Sequence, residues 1–143
     1  MKVSSPAFGE SESIPSRFTC DGSNINPQLN IDGIPTNTMS MAIIVDDPDA
    51  PGGDFVHWVA WNLPVSSQIK EHSTIGAEGR NDFGKNNYGG PCPPKGTHHY
   101  HFKVYALDER LAIPASSGKP ELEHAMEGHI LAFGELTGLY RRG

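Results

Sequence analysis

The segment MAIIVDDPDAPGGDFVHWVAWN, residues 41–62, decides the fold of this chain because it joins two apolar runs by an acidic, proline-rich turn. Residues 42–45 form a continuous, largely β-branched run, which predicts a strand buried on both faces. Pro48 and Pro51 can continue neither a strand nor a helix, so they predict a stiff turn. A second strand is expected from Phe55 to Leu63, directly after that turn.

Strand alternation predicts which side chains of the second strand share a face. We expect Phe55, His57, Val59 and Trp61 on one face, with Val56, Trp58, Ala60 and Asn62 on the other. His57 then lies on a large apolar face beside the turn that begins at Asp47. Because the prolines stiffen this turn, its carboxylates are held in place, and we interpret the region as the mouth of a pocket.

Length and composition narrow the class of protein. A chain of 143 residues predicts one domain over residues 1–143, which can bury about two-thirds of its surface. Sixteen glycines and twelve prolines are too many for a helical bundle and favour a β protein with many turns. The formal net charge of −6 argues against nucleic acid or an anionic membrane as the partner. No apolar run reaches membrane-spanning length, so we expect no stable membrane insertion.

The cysteines and the N-terminus favour a cytoplasmic location. Cys20 and Cys92 show no CxxC spacing and suit a reduced compartment, although a single disulfide between them stays open. The opening residues MKVSSPAF contain no apolar core of signal-peptide length.

The remaining segments give shorter patterns. Strands are expected at residues 17–20 and 28–31, and residues 64–96 predict a long loop that is functional rather than regular. Apolar residues at helical spacing predict a helix over 120–133. Residues 136–140 predict a final strand.

The strand after Thr97 supplies the second half of the predicted site. Alternation directs His98 and Tyr100 into the core at the beginning of this strand, directly after a Gly/Pro-rich loop. His99 and His101 fall on the opposite, solvated face. Of these three histidines, only His98 is placed like a site residue.

The candidate side chains are mainly hydrogen-bond donors. A single buried histidine is more often structural, but His57, His98 and Tyr100 entering one core beside an acidic turn favour a site for an oxyanion. Asp47 would fix the tautomer of one imidazole or meet an amine of the ligand.

Other kinds of site fit less well. An EF-hand reading of the Asp47 turn fails because Trp58 occupies the twelfth position, and the histidines lack metal-ligand spacing. We therefore expect no metal and no cofactor. The chain contains no Walker motif and no GxSxG motif, and no activated nucleophile stands out, which favours a binding module without catalytic residues. The alternative is a phosphomonoester or phosphodiester hydrolase or phosphoryl-transfer enzyme, with His57 or His98 as base and Asp47 orienting it.

Two motifs carry a family resemblance. DPDAP at residues 47–51 followed by FVHW, and PPKGTHHYHF at residues 93–102, resemble the phosphatidylethanolamine-binding protein family, in its bacterial and archaeal, Raf-kinase-inhibitor-like branch. The resemblance extends over nearly the whole chain, including the segments SPAF, DGSNINP and ELTGLYRR.

The resemblance implies a mainly β fold of two antiparallel sheets with Greek-key connections and one or two short peripheral helices. It also implies a small anion pocket that accepts phosphate or a phosphorylated head group, with a kinase or protease as a possible protein partner. The implied pocket residues are Asp47, His57, Gly90, Cys92, Pro94, His98 and Tyr100.

The chain departs from the animal members of this family in two ways. Cys92 stands where animal members usually carry glycine, and we expect this protein to be without their longer, helical C-terminus. We therefore expect a more open pocket or one closed by a second subunit. The resemblance implies a homodimer, and the apolar Leu139 and Tyr140 near the chain end agree with it.

Overall fold

The computed structural model describes residues 1–142, so Gly143 at the end of the predicted domain lies outside the described residues. The regular elements are β1 (Lys2–Ser4), β2 (Glu12–Ser13), β3 (Leu29–Asp32), β4 (Ser40–Asp47), β5 (Phe55–Leu63), β6 (Gln68–Ile69), β7 (Ala77–Glu78), β8 (His98–Leu107), α1 (Lys119–Met126) and β9 (Ile130–Tyr140). They form a six-stranded sheet of order β2-β9-β8-β4-β5-β7 and a three-stranded sheet of order β1-β3-β6. The mainly β fold with two sheets is confirmed. One detail differs, since the short pair of β2 and β9 is parallel.

Strand β4 lies at the centre of the larger sheet, hydrogen-bonded to β5 on one side and β8 on the other. All eight of its residues are buried, as its apolar sequence predicts. Ile43 and Val45 pack in a cluster with residues of the three-stranded sheet. Ile44 packs in a second cluster with Leu122 and Met126 of α1. Both faces of the central strands are therefore covered, and the strand ends are where a pocket can open.

A β-bulge places His57 at the beginning of β5. Val45 of β4 pairs with Trp58, whereas the next residue, Asp46, pairs with Val56. His57 is thus an extra residue without a partner on β4. A bulge bends its strand and changes the direction of the side chains that follow.

The bulge makes the predicted faces of β5 wrong beyond His57. Val59 and Trp61, expected beside His57, belong to the cluster that contains α1. Trp58 and Ala60, expected on the opposite face, belong to the cluster with the three-stranded sheet. The extra residue shifts the two-residue alternation by one position.

Two other predicted elements were also wrong. Residues 17–20 do not form a strand, since Ser16–Phe18 is a short 3₁₀ helix. The helix predicted over 120–133 ends at Met126, and Gly128 has a φ of +79°, which ends helical geometry. The apolar residues after Gly128 belong to β9, which pairs with β8 from Leu107 to His98.

The long loop of residues 64–96 contains the short strands β6 and β7 and carries one end of a disulfide. Cys20 and Cys92 are joined, with their Cα atoms 5.4 Å apart. The sequence left open whether these two cysteines form a disulfide, and the structure shows that they do, joining two loops. Within residues 1–142, the structure contains no helix long and apolar enough to cross a membrane.

Candidate functional site

A cavity of about 350 Å³ opens between the turn after β4, the beginning of β5 and the loop before β8. Six of the seven residues proposed from the sequence line it, and Gly90 is the exception. The lining residues are Asp47, Ala50, Pro51, Phe55, His57, Phe83, Cys92, Pro93, Pro94, His98 and Tyr100. The geometry therefore brings together residues from three separate segments of the chain.

His98 and Asp47 form a buried pair in this cavity. Nδ1 of His98 lies 2.7 Å from Oδ2 of Asp47, and both side chains are almost fully buried. Because a carboxylate only accepts hydrogen bonds, Nδ1 of His98 carries the proton. Nε2 is then the ring nitrogen that can meet a ligand.

His57 is fixed in a similar way by a backbone carbonyl. Its Nδ1 donates to the carbonyl oxygen of Gly89 at 2.7 Å, and its own carbonyl accepts the Gly89 amide at 3.0 Å. Burial lowers the pKa of His57 below its ordinary value, although the Gly89 carbonyl and the Asp47 carboxylate oppose that shift. The free protein therefore favours a neutral His57 with Nε2 as an acceptor.

Tyr100 contributes a hydroxyl group with no partner. The side chain is 1% exposed, lines the cavity, and its hydroxyl makes no hydrogen bond within the described residues. Burial raises the pKa of Tyr100, and Asp47 and Asp49 raise it further, so the phenol stays protonated. The hydroxyl is thus a donor that lacks an acceptor.

The loop before β8 offers fewer backbone amides than the family resemblance implies. The Gly89 amide binds the His57 carbonyl, and the Gly90 amide donates to Oδ1 of Asn24 at 2.7 Å. Prolines at positions 91, 93 and 94 have no N–H group. Within residues 89–94, the amide of Cys92 is left as the candidate donor, and Gly90 acts by holding the loop.

Sequence reasoning missed Phe83, which forms part of the cavity wall. Its ring lies 4.8 Å from that of Phe55 and 5.4 Å from that of His57, measured between ring centroids. Phe83 is 43% exposed, so it stands at the mouth of the cavity. The buried Asn81 holds it there by accepting the Phe83 amide and donating to the His57 carbonyl. A lone aromatic residue in a Gly/Asn-rich loop was the available sequence signal.

His99 lies outside the cavity, as predicted, but it contacts the turn that carries Asp47. Both its amide and its Nδ1 bind Oδ2 of Asp49, at 2.8 and 2.7 Å. The amide of Asp49 in turn donates to Oδ1 of Asp47 at 2.8 Å. The exposed histidine is therefore connected to the site through one turn.

Asp46, on the opposite face of β4 from Asp47, anchors the turn between β4 and β5. Its Oδ2 accepts hydrogen bonds from Lys103 at 3.0 Å and from Lys119 at 2.9 Å. Lys119 also binds Asp54 at the end of the turn, at 2.5 Å. Burial alone would raise the pKa of Asp46, but the two lysines bring it below its ordinary value. Among residues 1–142, no group of three His, Cys, Asp or Glu side chains is arranged to hold a metal ion.

Comparison with known proteins gives consistent matches over almost the whole chain. The family described as phosphatidylethanolamine-binding protein matches residues 4–141. A UPF0098 protein of Pyrococcus horikoshii is 52% identical, over 99% of this chain and 77% of its own length. A UPF0098 protein of Methanothermobacter thermautotrophicus is 45% identical over the full length of both chains.

Solved structures agree with the sequence matches. The crystal structure of a phosphatidylethanolamine-binding protein homologue from Chlamydia trachomatis is 38% identical, with a TM-score of 0.95, covering 99% of this chain and 97% of that one. Escherichia coli YbcL, described as a member of the mammalian family, is 32% identical, with a TM-score of 0.91 and coverage of 99% and 98%.

Proposed function

The chain belongs to the phosphatidylethanolamine-binding protein family, and from that premise we propose that its cavity binds phosphate or a phosphorylated head group. The observation that carries the proposal is the Tyr100 hydroxyl, which is buried in the cavity wall and makes no hydrogen bond to any described residue. An unsatisfied buried polar group costs roughly 1–3 kcal/mol. An oxygen atom of a bound anion would supply the missing acceptor.

The two histidines support an anion rather than a neutral ligand. Each has its Nδ1 fixed, His57 by the Gly89 carbonyl and His98 by the Asp47 carboxylate. Protonation at Nε2 turns each ring into a charged donor, and hydrogen bonds with an ionised partner are about twice as strong as neutral ones. Such hydrogen bonds from His57 and His98 would give the cavity a local attraction for an anion although the chain is net negative.

The lining residues favour binding without turnover. Of the side chains in the cavity wall, the one most suited to nucleophilic attack would be the Cys92 thiol, but its sulfur is bonded to Cys20. No serine, threonine or lysine lines the cavity among the described residues. We therefore propose a binding module and place no catalytic residue in it.

Calorimetric titration with inorganic phosphate at pH 7 tests this proposal. We expect binding to the wild type, and His98→Ala should weaken it by roughly 1.5–3 kcal/mol because a charge-assisted hydrogen bond is lost. His124→Ala is the matched control, since His124 is exposed on α1 and does not line the cavity. Absence of phosphate binding to the wild type would refute the proposal.

The His98–Asp47 pair favours one alternative, a phosphomonoester hydrolase or phosphoryl-transfer enzyme. A histidine oriented by a buried carboxylate is the usual arrangement of a general base. Steady-state assays with an aryl phosphomonoester decide between the two functions. Turnover that disappears in His98→Ala would establish the enzyme, whereas binding without turnover would leave the module.

Three further expectations from the sequence stay proposals. We propose that a kinase or other protein partner is regulated through this site, that the chain forms homodimers, and that it is cytoplasmic. A cytoplasmic location requires the Cys20–Cys92 bond to form in a compartment where disulfides are uncommon outside hyperthermophiles. Cell fractionation with thiol trapping would decide both the compartment and the redox state.

A further inference from the structure

Cys92, one end of the Cys20–Cys92 disulfide, forms part of the cavity wall. Cys92 lines the cavity next to Pro93 and Pro94, whereas Cys20 is not among the lining residues. Cys20 and Cys92 are both half-buried, so the lining of the cavity is what distinguishes them. A small molecule inside the cavity therefore meets the disulfide from the Cys92 side.

We propose that this disulfide is a thiol–disulfide exchange site, and that small anionic thiols reach Cys92 through the cavity. Exchange requires a thiolate to reach one sulfur of the bond. The cavity, at about 350 Å³, has room for a small organic thiol beside Cys92. The same donors that suit phosphate, His57, His98 and the Tyr100 hydroxyl, suit the negative charge of such a thiol.

The reaction on this disulfide is a two-step reduction. A thiolate attacks the Cys92 sulfur, forms a mixed disulfide there and breaks the bond to Cys20, which leaves as a thiolate and takes up a proton. A second molecule of the same thiol, as its thiolate, then attacks the sulfur of the bound small thiol in the mixed disulfide. This step releases Cys92 as a thiolate, which is also protonated. Two small thiols are oxidised to one small disulfide, and the protein gains two electrons and two protons.

The outer approach, from the Cys20 side, is less suited to an anion. Asp21 follows Cys20 directly, and its carboxylate accepts the Tyr140 hydroxyl at 2.6 Å. That hydrogen bond lowers the pKa of Asp21, so the carboxylate is ionised. Arg142 lies 3.2 Å from Asp21 and balances the charge, so this side offers no net attraction to an anion. The cavity is therefore the favoured route.

Three hydrogen bonds hold the same two loops together beside the disulfide. The Tyr88 hydroxyl donates to the Phe18 carbonyl at 2.8 Å, the Gly90 amide to Asn24 at 2.7 Å and the Cys20 amide to the Pro91 carbonyl at 3.1 Å. Because none of these contacts involves a sulfur atom, we expect them to hold the two loops together, with Cys92 beside the cavity, when the S–S bond opens.

A pair of single-cysteine variants tests the route. Cys20→Ser leaves Cys92 free, and Cys92→Ser leaves Cys20 free. Each is alkylated with iodoacetate, an anionic reagent, with and without inorganic phosphate. This arm rests on the proposed phosphate site: at phosphate about ten times above its dissociation constant, alkylation of Cys92 should slow about tenfold because the free cavity becomes rare. Alkylation of Cys20 should not change. Equal protection of both cysteines, or protection of Cys20 alone, would overturn the proposal.

The wild type supplies a second arm that needs no substitution and no phosphate. The protein is treated briefly with 2-mercaptoethanesulfonate, quenched with acid, and the first adduct is located by mass spectrometry. We expect the adduct on Cys92, and an adduct first formed on Cys20 would overturn the exchange site. If calorimetry shows no phosphate binding, the proposed function fails, while the adduct position still decides whether Cys92 is the attacked sulfur.

Discussion

Nδ1 of His98 lies 2.7 Å from Oδ2 of Asp47, although 51 positions separate the two residues in the chain. The contact follows from strand order, because β4 and β8 are antiparallel neighbours and Asp46 pairs with His101. The end of one strand therefore meets the beginning of the other. His57 joins them from β5 through its bulge, and the three side chains surround one cavity.

Replacing Tyr100 with phenylalanine separates binding from stability. The Tyr100 hydroxyl makes no hydrogen bond to residues 1–142, so Tyr100→Phe should leave the free energy of unfolding unchanged or raise it slightly. Phosphate binding should weaken by roughly 1.5–3 kcal/mol, the value of a hydrogen bond to a charged group. Denaturant unfolding and calorimetry on the same variant measure the two effects.

Tyr88→Phe is the matched control for that variant. The buried Tyr88 hydroxyl donates to the Phe18 carbonyl at 2.8 Å, and Tyr88 does not line the cavity. This change should lower stability by about 1 kcal/mol and leave the direct phosphate contacts intact. A Tyr100→Phe protein that is destabilised as much as Tyr88→Phe and binds phosphate normally would contradict the assignment.

The stability of the free protein should depend on pH through His57. Burial lowers the pKa of His57 in the fold, so below the ordinary pKa of about 6.5 the unfolded chain takes up the proton more readily. The contribution of His57 to stability is therefore complete above that pH and is lost as the pH falls toward the folded pKa. Urea unfolding between pH 5 and 8 should show that stability falls less on acidification in His57→Gln than in the wild type, because glutamine does not titrate. An equal change of the free energy of unfolding with pH in the wild type and the variant would count against a buried, neutral His57.

Lys119 should stabilise the turn below the cavity. Its ammonium group joins Asp46, which is 1% exposed, to Asp54 at the end of the turn. Lys119→Met keeps the apolar stem but removes this contact, and should lower the free energy of unfolding by roughly 1.5–3 kcal/mol at pH 7. Lys2→Met, on an exposed position of β1, is the control and should have little effect.

The stability contributed by the Asp46–Lys119 ion pair should depend on pH. The pKa of Asp46 is lowered in the fold, so its contribution is complete above the ordinary aspartate pKa of about 3.9 and is lost as the pH falls below that value. The difference between wild type and Lys119→Met should therefore shrink in acid. A difference that persists unchanged below pH 3 would show that the ion pair is not its cause.

We still expect a homodimer, but through the surface around Ile130 and Phe133 rather than through Leu139 and Tyr140. Leu139 and Tyr140 are half-buried in β9, whereas Ile130 and Phe133 are 46% and 45% exposed. Phe133 packs on Tyr105 with ring centroids 5.1 Å apart, which leaves an apolar strip on the open sheet. Sedimentation at micromolar concentration should show a dimer that Phe133→Asp dissociates. A wild type that stays monomeric well above micromolar concentration would refute this.

The part of the site on β8 could be predicted because strand alternation holds there. His98, Tyr100 and Phe102 are buried, and His99 is exposed, as the sequence pattern requires. The position of His57 depends instead on a bulge. No glycine or turn residue marks it in the sequence, because a bulge is fixed by pairing with β4.

Other features depend on contacts between distant segments. The pairing of Cys20 with Cys92 joins loops 72 positions apart. The place of Phe83 depends on hydrogen bonds made by Asn81 within a loop that has no periodic pattern. Residues after Gly128 have helical spacing, but their pairing with β8 determines a strand. Tertiary contacts override local preference in each case.

The pH dependence of anion binding is the sharpest test of the proposed anion site. His57 is neutral in the free protein and must carry a proton at Nε2 to donate to the anion, so binding must take up protons. Calorimetric titration with inorganic phosphate at pH 6 and pH 8, in two buffers of different ionisation enthalpy, measures affinity and proton uptake together. His124→Ala is the control because His124 does not line the cavity. His99 is unsuitable as a control because its ring contacts Asp49, in the turn that carries Asp47. We predict tighter binding at pH 6 with net proton uptake. His57→Ala should reduce both, and His98→Ala should reduce the affinity. Affinity that does not change with pH, or an equal loss in His124→Ala, would contradict it.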